Sequence, residues 1–139
     1  MSETKLNATR KSITHKAVIR CSPELCEKCG APVGESRFKF FFTVGIVEGR
    51  PVELFMHMDQ CGSAIDGFAK CWALAISLCL RNGVPLAKLV EKFRFQRFEP
   101  QGMTEDAGAP IVMSVVDYVI GWMCRYFEDN KQKDCDAKM

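Results

Sequence analysis

Apolar and polar positions alternate along residues 37–47: Phe38, Phe40, Phe42, Val44 and Ile46 share one side, and Arg37, Lys39, Phe41, Thr43 and Gly45 the other. A period of two over this length predicts a half-buried strand. After the turn Glu48-Gly49-Arg50-Pro51 the alternation resumes with Val52, Leu54, Met56 and Met58 inward, so the two segments predict a hairpin. Ser12 to Cys21 predicts a further strand with Ala17, Ile19 and Cys21 on one face. Residues 22–36, rich in Pro, Gly and Cys, predict a loop.

The period then becomes helical. Ser63 is a strong N-cap and Asp66 follows it by three residues, a carboxylate in the first turn. Ile65, Phe68, Ala69, Trp72, Ile76, Cys79 and Leu80 recur at three- and four-residue spacing, with Leu74 and Leu78 on another side. That pattern predicts a central helix buried on most of its circumference. Asn82-Gly83 ends it, and Pro85 opens a second helix with Leu86, Leu89, Val90 and Phe93 inward. Residues 99–110 read as an irregular loop. Pro110 opens a last helix to about Phe127, striped by Val112, Val115, Val116, Val119, Trp122 and Met123. Strands first and helices second predict an α+β domain: a small antiparallel sheet of about three strands packed by three helices. The domain covers residues 12–127, between a flexible basic arm at 1–11 and a charged mobile tail at 128–139.

The 139 residues, 47% of them hydrophobic, suit one ordinary core and exclude a wholly disordered chain. A net charge of +2 does not announce a nucleic-acid binder. Residues 1–20 are polar and basic with no apolar signal-type segment, and the run Cys71–Leu80 is too short to span a bilayer. The expected location is cytoplasmic, with no membrane partner. Eight cysteines in such a chain are then metal ligands, redox thiols or small core residues rather than disulfides.

Several strings recur in a recognisable order: Ser12–Lys16 (SITHK), Thr43–Gly45 (TVG), Glu53–Met58 (ELFMHM), Gly62-Ser63, Ala75–Phe93, Arg97–Thr104 (RFEPQGMT) and Ser114–Met123 (SVVDYVIGWM). Together, over roughly residues 10–127, the chain resembles the C-terminal TSCPD-type domain of adenosylcobalamin-dependent (class II) ribonucleotide reductases. The Thr-Ser-Cys-Pro-Asp string itself is absent, with Cys21-Ser22-Pro23-Glu24 nearest to it, and the first hairpin carries the insertion Cys21–Ser36. The resemblance implies a role in or around ribonucleotide reduction. It implies neither the radical barrel nor a cobalamin site in this chain.

Cys26-Glu27-Lys28-Cys29-Gly30 has the form of a zinc knuckle, in which two thiolates two residues apart share one Zn²⁺. An up-down-up meander returns the segment after Met58 to the end of the sheet that carries the inserted loop. Cys61 stands there, where the family pattern has a polar or acidic residue. The expectation is a structural four-thiolate zinc site from Cys21, Cys26, Cys29 and Cys61, with His57 as an alternative ligand and otherwise an outward strand residue. His15 is expected to be structural. Cys71, Cys79 and Cys124 are expected in the core, and Cys135 is expected exposed in the tail.

The alternation Lys92-Phe93-Arg94-Phe95-Gln96-Arg97-Phe98 offers Lys92, Arg94 and Arg97 as contacts for nucleic acid or a partner. Against that stands an ordinary arrangement with Phe inward, the cations solvated and Arg97 paired with Glu99. The leading function is a stand-alone TSCPD module, non-catalytic by itself, acting as an accessory or split-subunit protein in deoxyribonucleotide synthesis by binding a protein partner, a catalytic reductase chain. Two alternatives stay open: a zinc-containing regulatory protein that binds nucleic acid or another target, and a CxxC dithiol electron carrier.

Overall fold

The computed structural model describes residues 5–21, 24–25, 27–33, 37–59 and 61–137. The long alternating segments form β1 (Lys11–Arg20), β4 (Arg37–Val47) and β5 (Arg50–Met58), and the loop between the first two contains β2 (Glu24–Leu25) and β3 (Pro32–Val33). The helices are α1 (Ala64–Arg81), α2 (Leu86–Phe93) and α3 (Val115–Ala137), with β6 (Gly102–Thr104) and β7 (Ile111–Val112) before the last. The α+β class and the three helices match the sequence reading. The sheet is larger than its expected three strands: five antiparallel strands in the order β5-β4-β1-β6-β7, with β2 and β3 paired separately.

β6 comes from the segment read as an irregular loop, and β7 takes residues read as the first turn of the last helix, which starts at Val115 rather than at Pro110. Three and two residues are too few to show a period, and main-chain pairing alone recruits them. Arg20 pairs with Met103, and Met103 with Ile111. Gly102 permits the approach: its φ is 145°, and a Cβ there would stand 2.3 Å from the carbonyl oxygen of Arg20.

Register decides which face is the core. β1 pairs with β4 from Lys11↔Ile46 to Arg20↔Arg37, which sets Ala17 and Ile19 beside Phe40 and Phe38. Phe40, Phe42 and Val44 join Leu54, Met56 and Met58 in one buried cluster with Ile76 of α1 and Tyr118, Val119 and Met123 of α3. Each large side chain so enclosed contributes about 1.5–3 kcal/mol of transfer free energy. His15 lies on this inner face, as a structural residue should. Its ring packs against Phe42, Tyr118 and Trp122, and Nε2 is 2.9 Å from the Tyr118 hydroxyl. Burial lowers the imidazole pKa and pushes the Tyr118 phenol up to about 12, so a neutral hydrogen-bonded pair sits in the core.

Ser63 caps α1 as its type predicts, its hydroxyl accepting from the amide of Asp66. The helix is not enclosed on most sides, however. It lies along β5 with Ala73, Ile76, Ser77 and Leu80 buried. Phe68 is 79% exposed, Leu74 63% and Leu78 50%, and Cys71 is exposed rather than in the core. Helical spacing identifies stripes but does not say how many layers cover them, and here a single layer does. Cys79 and Cys124 are half-buried. Ser114 caps α3 through the amide of Asp117, and this helix runs to Ala137 rather than ending near Phe127. The side chain of Cys135 lies outside the described residues. Among the described residues no helix is long and apolar enough to cross a membrane.

β5 is an outer strand of the sheet, and α1 supplies the bonds its main chain lacks there. The Ser77 hydroxyl accepts from the amide of Leu54 at 2.8 Å and lies within donating distance of the Leu54 carbonyl at 3.1 Å, inside the core. Ser77→Ala should therefore lower the unfolding free energy by about 1–3 kcal/mol, because it leaves buried main-chain groups unsatisfied. Urea denaturation measures it, and an unchanged midpoint would show that α1 does not complete the edge.

Candidate functional site

The cysteine-bearing segments do leave the sheet at one end. Arg20 pairs with Arg37 and Met58 with Phe40, so the chain leaves β1, enters β4 and leaves β5 at the same end of the sheet. Arg20 and Arg37 both meet Glu105, whose charge offsets the like pair. The inserted loop is itself a short hairpin: Glu24 pairs with Val33 and Leu25 with Pro32, with a turn at Glu27–Cys29 and Gly30 at φ 71°.

Within this end, Cys21 follows β1, half-buried, with Sγ 3.7 Å from the carbonyl oxygen of Ile19, and burial pushes its thiol pKa up. Cys29 is exposed in the turn. Cys26 lies outside the described residues. Cys61 is exposed after β5, with Sγ 3.6 Å from Nε2 of His57, the outward strand residue considered as its alternative. A thiol and an imidazole at that separation form a donor pair suited to a soft or borderline metal. Among the described residues no three His, Cys, Asp or Glu side chains gather into a group able to hold a metal ion.

Asp66 shapes the segment that carries Cys61, a role the sequence reading did not assign. Its buried carboxylate accepts from the amides of Met58 at 3.3 Å and Gly62 at 3.0 Å, and from Lys70 Nζ at 2.9 Å. The Lys70 ammonium foremost, then the amides, hold the carboxyl pKa down at about 2. The available signal was a carboxylate three residues after an N-cap and four before a lysine.

The second feature is the sheet face that the helices leave uncovered. Across it run the rows Lys16–Phe41–His57 and Thr14–Thr43–Phe55, with Phe41 42% and Phe55 54% exposed. The Thr14 and Thr43 hydroxyls lie 2.8 Å apart. At one margin Arg10 grips Glu53 through Nε at 2.8 Å and Nη2 at 2.7 Å. Gly45 makes room, since a Cβ there would stand 2.8 Å from Glu53 Oε2. The basic arm is thus anchored at its end by a two-pronged ion pair.

The basic-aromatic segment departs from the ordinary arrangement with every Phe inward. Phe93 packs edge-on against Trp72, but Phe95 and Phe98 are exposed. Arg94 is the residue drawn in, its Nε 3.4 Å from Asp117 and its guanidinium 4.7 Å over the Phe95 ring. The chain leaves α2 at Arg94 in an extended conformation, and Phe95 has φ 65°, so the alternation loses its phase. Asp117 holds the bend by accepting from the amides of Phe95 and Met113, both at 2.9 Å. Arg97 reaches Met113 Sδ at 3.7 Å, Glu99 accepts from Gln101, and Lys92 is exposed.

Comparison with known proteins places these features in a family context. The family model described as the TSCPD domain matches residues 9–127. A vitamin B12-dependent ribonucleotide reductase of Rhodopirellula baltica is 35% identical over 120 residues, covering 86% of this chain and 10% of that protein. The protein of the same name from Streptomyces avermitilis is 37% identical over 98 residues, 63% of this chain and 10% of its own length. That from Agrobacterium fabrum is 42% identical over 73 residues, 52% of this chain and 6% of its own. The chain spans about a tenth of the length of the first two of these relatives. No solved structure matches it.

Asp66 gives a pH test. Its pKa is depressed in the fold, so its contribution is present above the ordinary carboxylate value of 3.8 and is lost as pH falls toward about 2. Asp66→Asn should lower the thermal midpoint at pH 7, and the deficit against wild type should close between about pH 4 and pH 2. A deficit that stays constant over this range in a calorimetric series would contradict the ionised role.

Proposed function

The chain belongs to the TSCPD domain family, and from that premise we propose that it serves ribonucleotide reduction as a non-catalytic module that docks on the catalytic part of a reductase. The observation that carries this reading is the uncovered sheet face, where Phe41 of β4 and Phe55 of the outer strand β5 stand exposed in neighbouring rows. Aromatic anchors on paired strands, ringed by Lys16 and the Arg10–Glu53 pair, are the residue types that concentrate binding energy at protein interfaces. The test uses the purified chain and the catalytic reductase chain of the same organism. Phe55→Lys should weaken their association at least about tenfold, as loss of an interface hot spot does. Equal affinity of variant and wild type, or no association at all, would contradict the proposal.

A structural zinc site at the cysteine end belongs to the same reading, with Cys21, Cys26, Cys29 and Cys61 as ligands. The short hairpin whose turn carries Cys29, and the shared sheet end of Cys21 and Cys61, support it. Four thiolates would complete the zinc coordination and leave no position for a reacting water. His57, beside Cys61, is the competing fourth ligand. Chelator-free protein should carry one zinc per chain by elemental analysis, and Cys29→Ser should release it. Zinc-free protein with all of these thiols reactive would overturn this part while leaving the docking surface to be judged separately.

A further inference from the structure

The solvent side of α1 carries a second apolar surface, which neither the core nor the sheet face uses. Phe68, Leu74 and Leu78 are its large members, and the smaller Ala64, Gly67, Cys71 and Ala75 fill the same stripe. These positions follow three- and four-residue spacing over about four helical turns, the repeat that lets one helix lie along another. Gly67 has open space around the position of a Cβ. No charge interrupts the stripe: Asp66 is buried, and Lys70 is tied to it at 2.9 Å.

The spacing is symmetric about Cys71. Leu74 stands as far after it as Phe68 stands before, Ala75 as far as Gly67, and Leu78 as far as Ala64. A two-fold axis through Cys71 and perpendicular to the helix therefore maps the stripe onto itself. Phe68 then meets Leu74 of the other copy, small residues meet at the Gly67–Ala75 level, and the two helix dipoles oppose. Self-complementarity of this kind is what a closed two-fold interface requires. The stripe presents on the order of 400–500 Å² per chain, the size of the largest apolar patch that a typical monomer exposes, and such patches often serve binding. Two copies would bury about 900 Å² together, below the size of a stable specific interface and in the range of a weak one. From this symmetry and area we infer that α1 pairs antiparallel with α1 of a second copy, in a weak dimer centred on Cys71. This contact stands apart from the docking proposed for the sheet face and does not depend on it.

The test is sedimentation of the reduced full chain over a concentration series of about 10–500 µM, the range for a weak interface. The average mass should climb from 15.7 kDa toward twice that value. Phe68→Lys changes an exposed side chain, so its circular dichroism should match wild type while its dimerisation constant weakens at least tenfold. Mild oxidation by copper–phenanthroline and oxygen removes two protons and two electrons from a pair of thiols, and peptide mapping should find the disulfide joining Cys71 to Cys71. Cys71→Ser should abolish that species. A chain monomeric throughout, with no Cys71 cross-link, would overturn the inference and leave the stripe to a helix of a different protein. A dimer indifferent to Phe68→Lys and cross-linked only through other cysteines would overturn it as well.

Discussion

The ladder between β1 and β4 is the constraint on which the rest of the molecule depends. It joins residues separated by the whole cysteine-bearing insertion, and it runs unbroken from Lys11↔Ile46 to Arg20↔Arg37. Side chains on paired strands alternate between faces, so this register sends Ala17, Ile19, Phe40, Phe42 and Val44 inward together. A slip of β1 by one residue would turn its polar set inward and put Lys16 in the core beside Phe40 or Phe42. Loop closure across the insertion is entropically unfavourable, and the cluster of inward aromatic rings offsets it. Tyr118 and Trp122 of α3 then pack on those rings, and His15 is trapped neutral among them.

The same alternation creates the two regions relevant to function. Because α1 and α3 cover only the inner face, Phe41 and Phe55 are left on the outer one, where Arg10 and Glu53 form a fixed charged margin. Because β1 and β5 both end where β4 begins, the insertion and the segment around Cys61 share one sheet end. Asp66 makes that end rigid by drawing Met58, Gly62 and Lys70 to one carboxylate. Membership in the TSCPD family gives these features their setting, and the chain matches about a tenth of the length of two of its relatives.

Much of the scaffold was legible in the residue pattern. The alternation of 37–47 coincides with β4, and the cap at Ser63 and the stop at Asn82-Gly83 bound α1. What escaped reading is what periodicity does not encode. β6 and β7 are held by pairing to a distant strand and by the glycine that lets it approach. Phe68 has helical spacing like any core residue, yet it faces solvent because one layer alone covers the sheet. At the site, the shared end of Cys21 and Cys61 follows from meander topology and was legible. The Arg10–Glu53 pair spans 43 positions, and the turn of Arg94 toward Asp117 depends on the left-handed residue Phe95, so neither leaves a local mark.

Amide chemical-shift mapping of the labelled chain, alone and with the catalytic reductase chain, tests the central claim most directly. The account predicts shifts concentrated on the uncovered face, at Thr14, Lys16, Phe41, Thr43, Phe55 and His57, with the exposed stripe of α1 undisturbed. Shifts confined to α1, or none at saturating partner, would contradict docking through the sheet face.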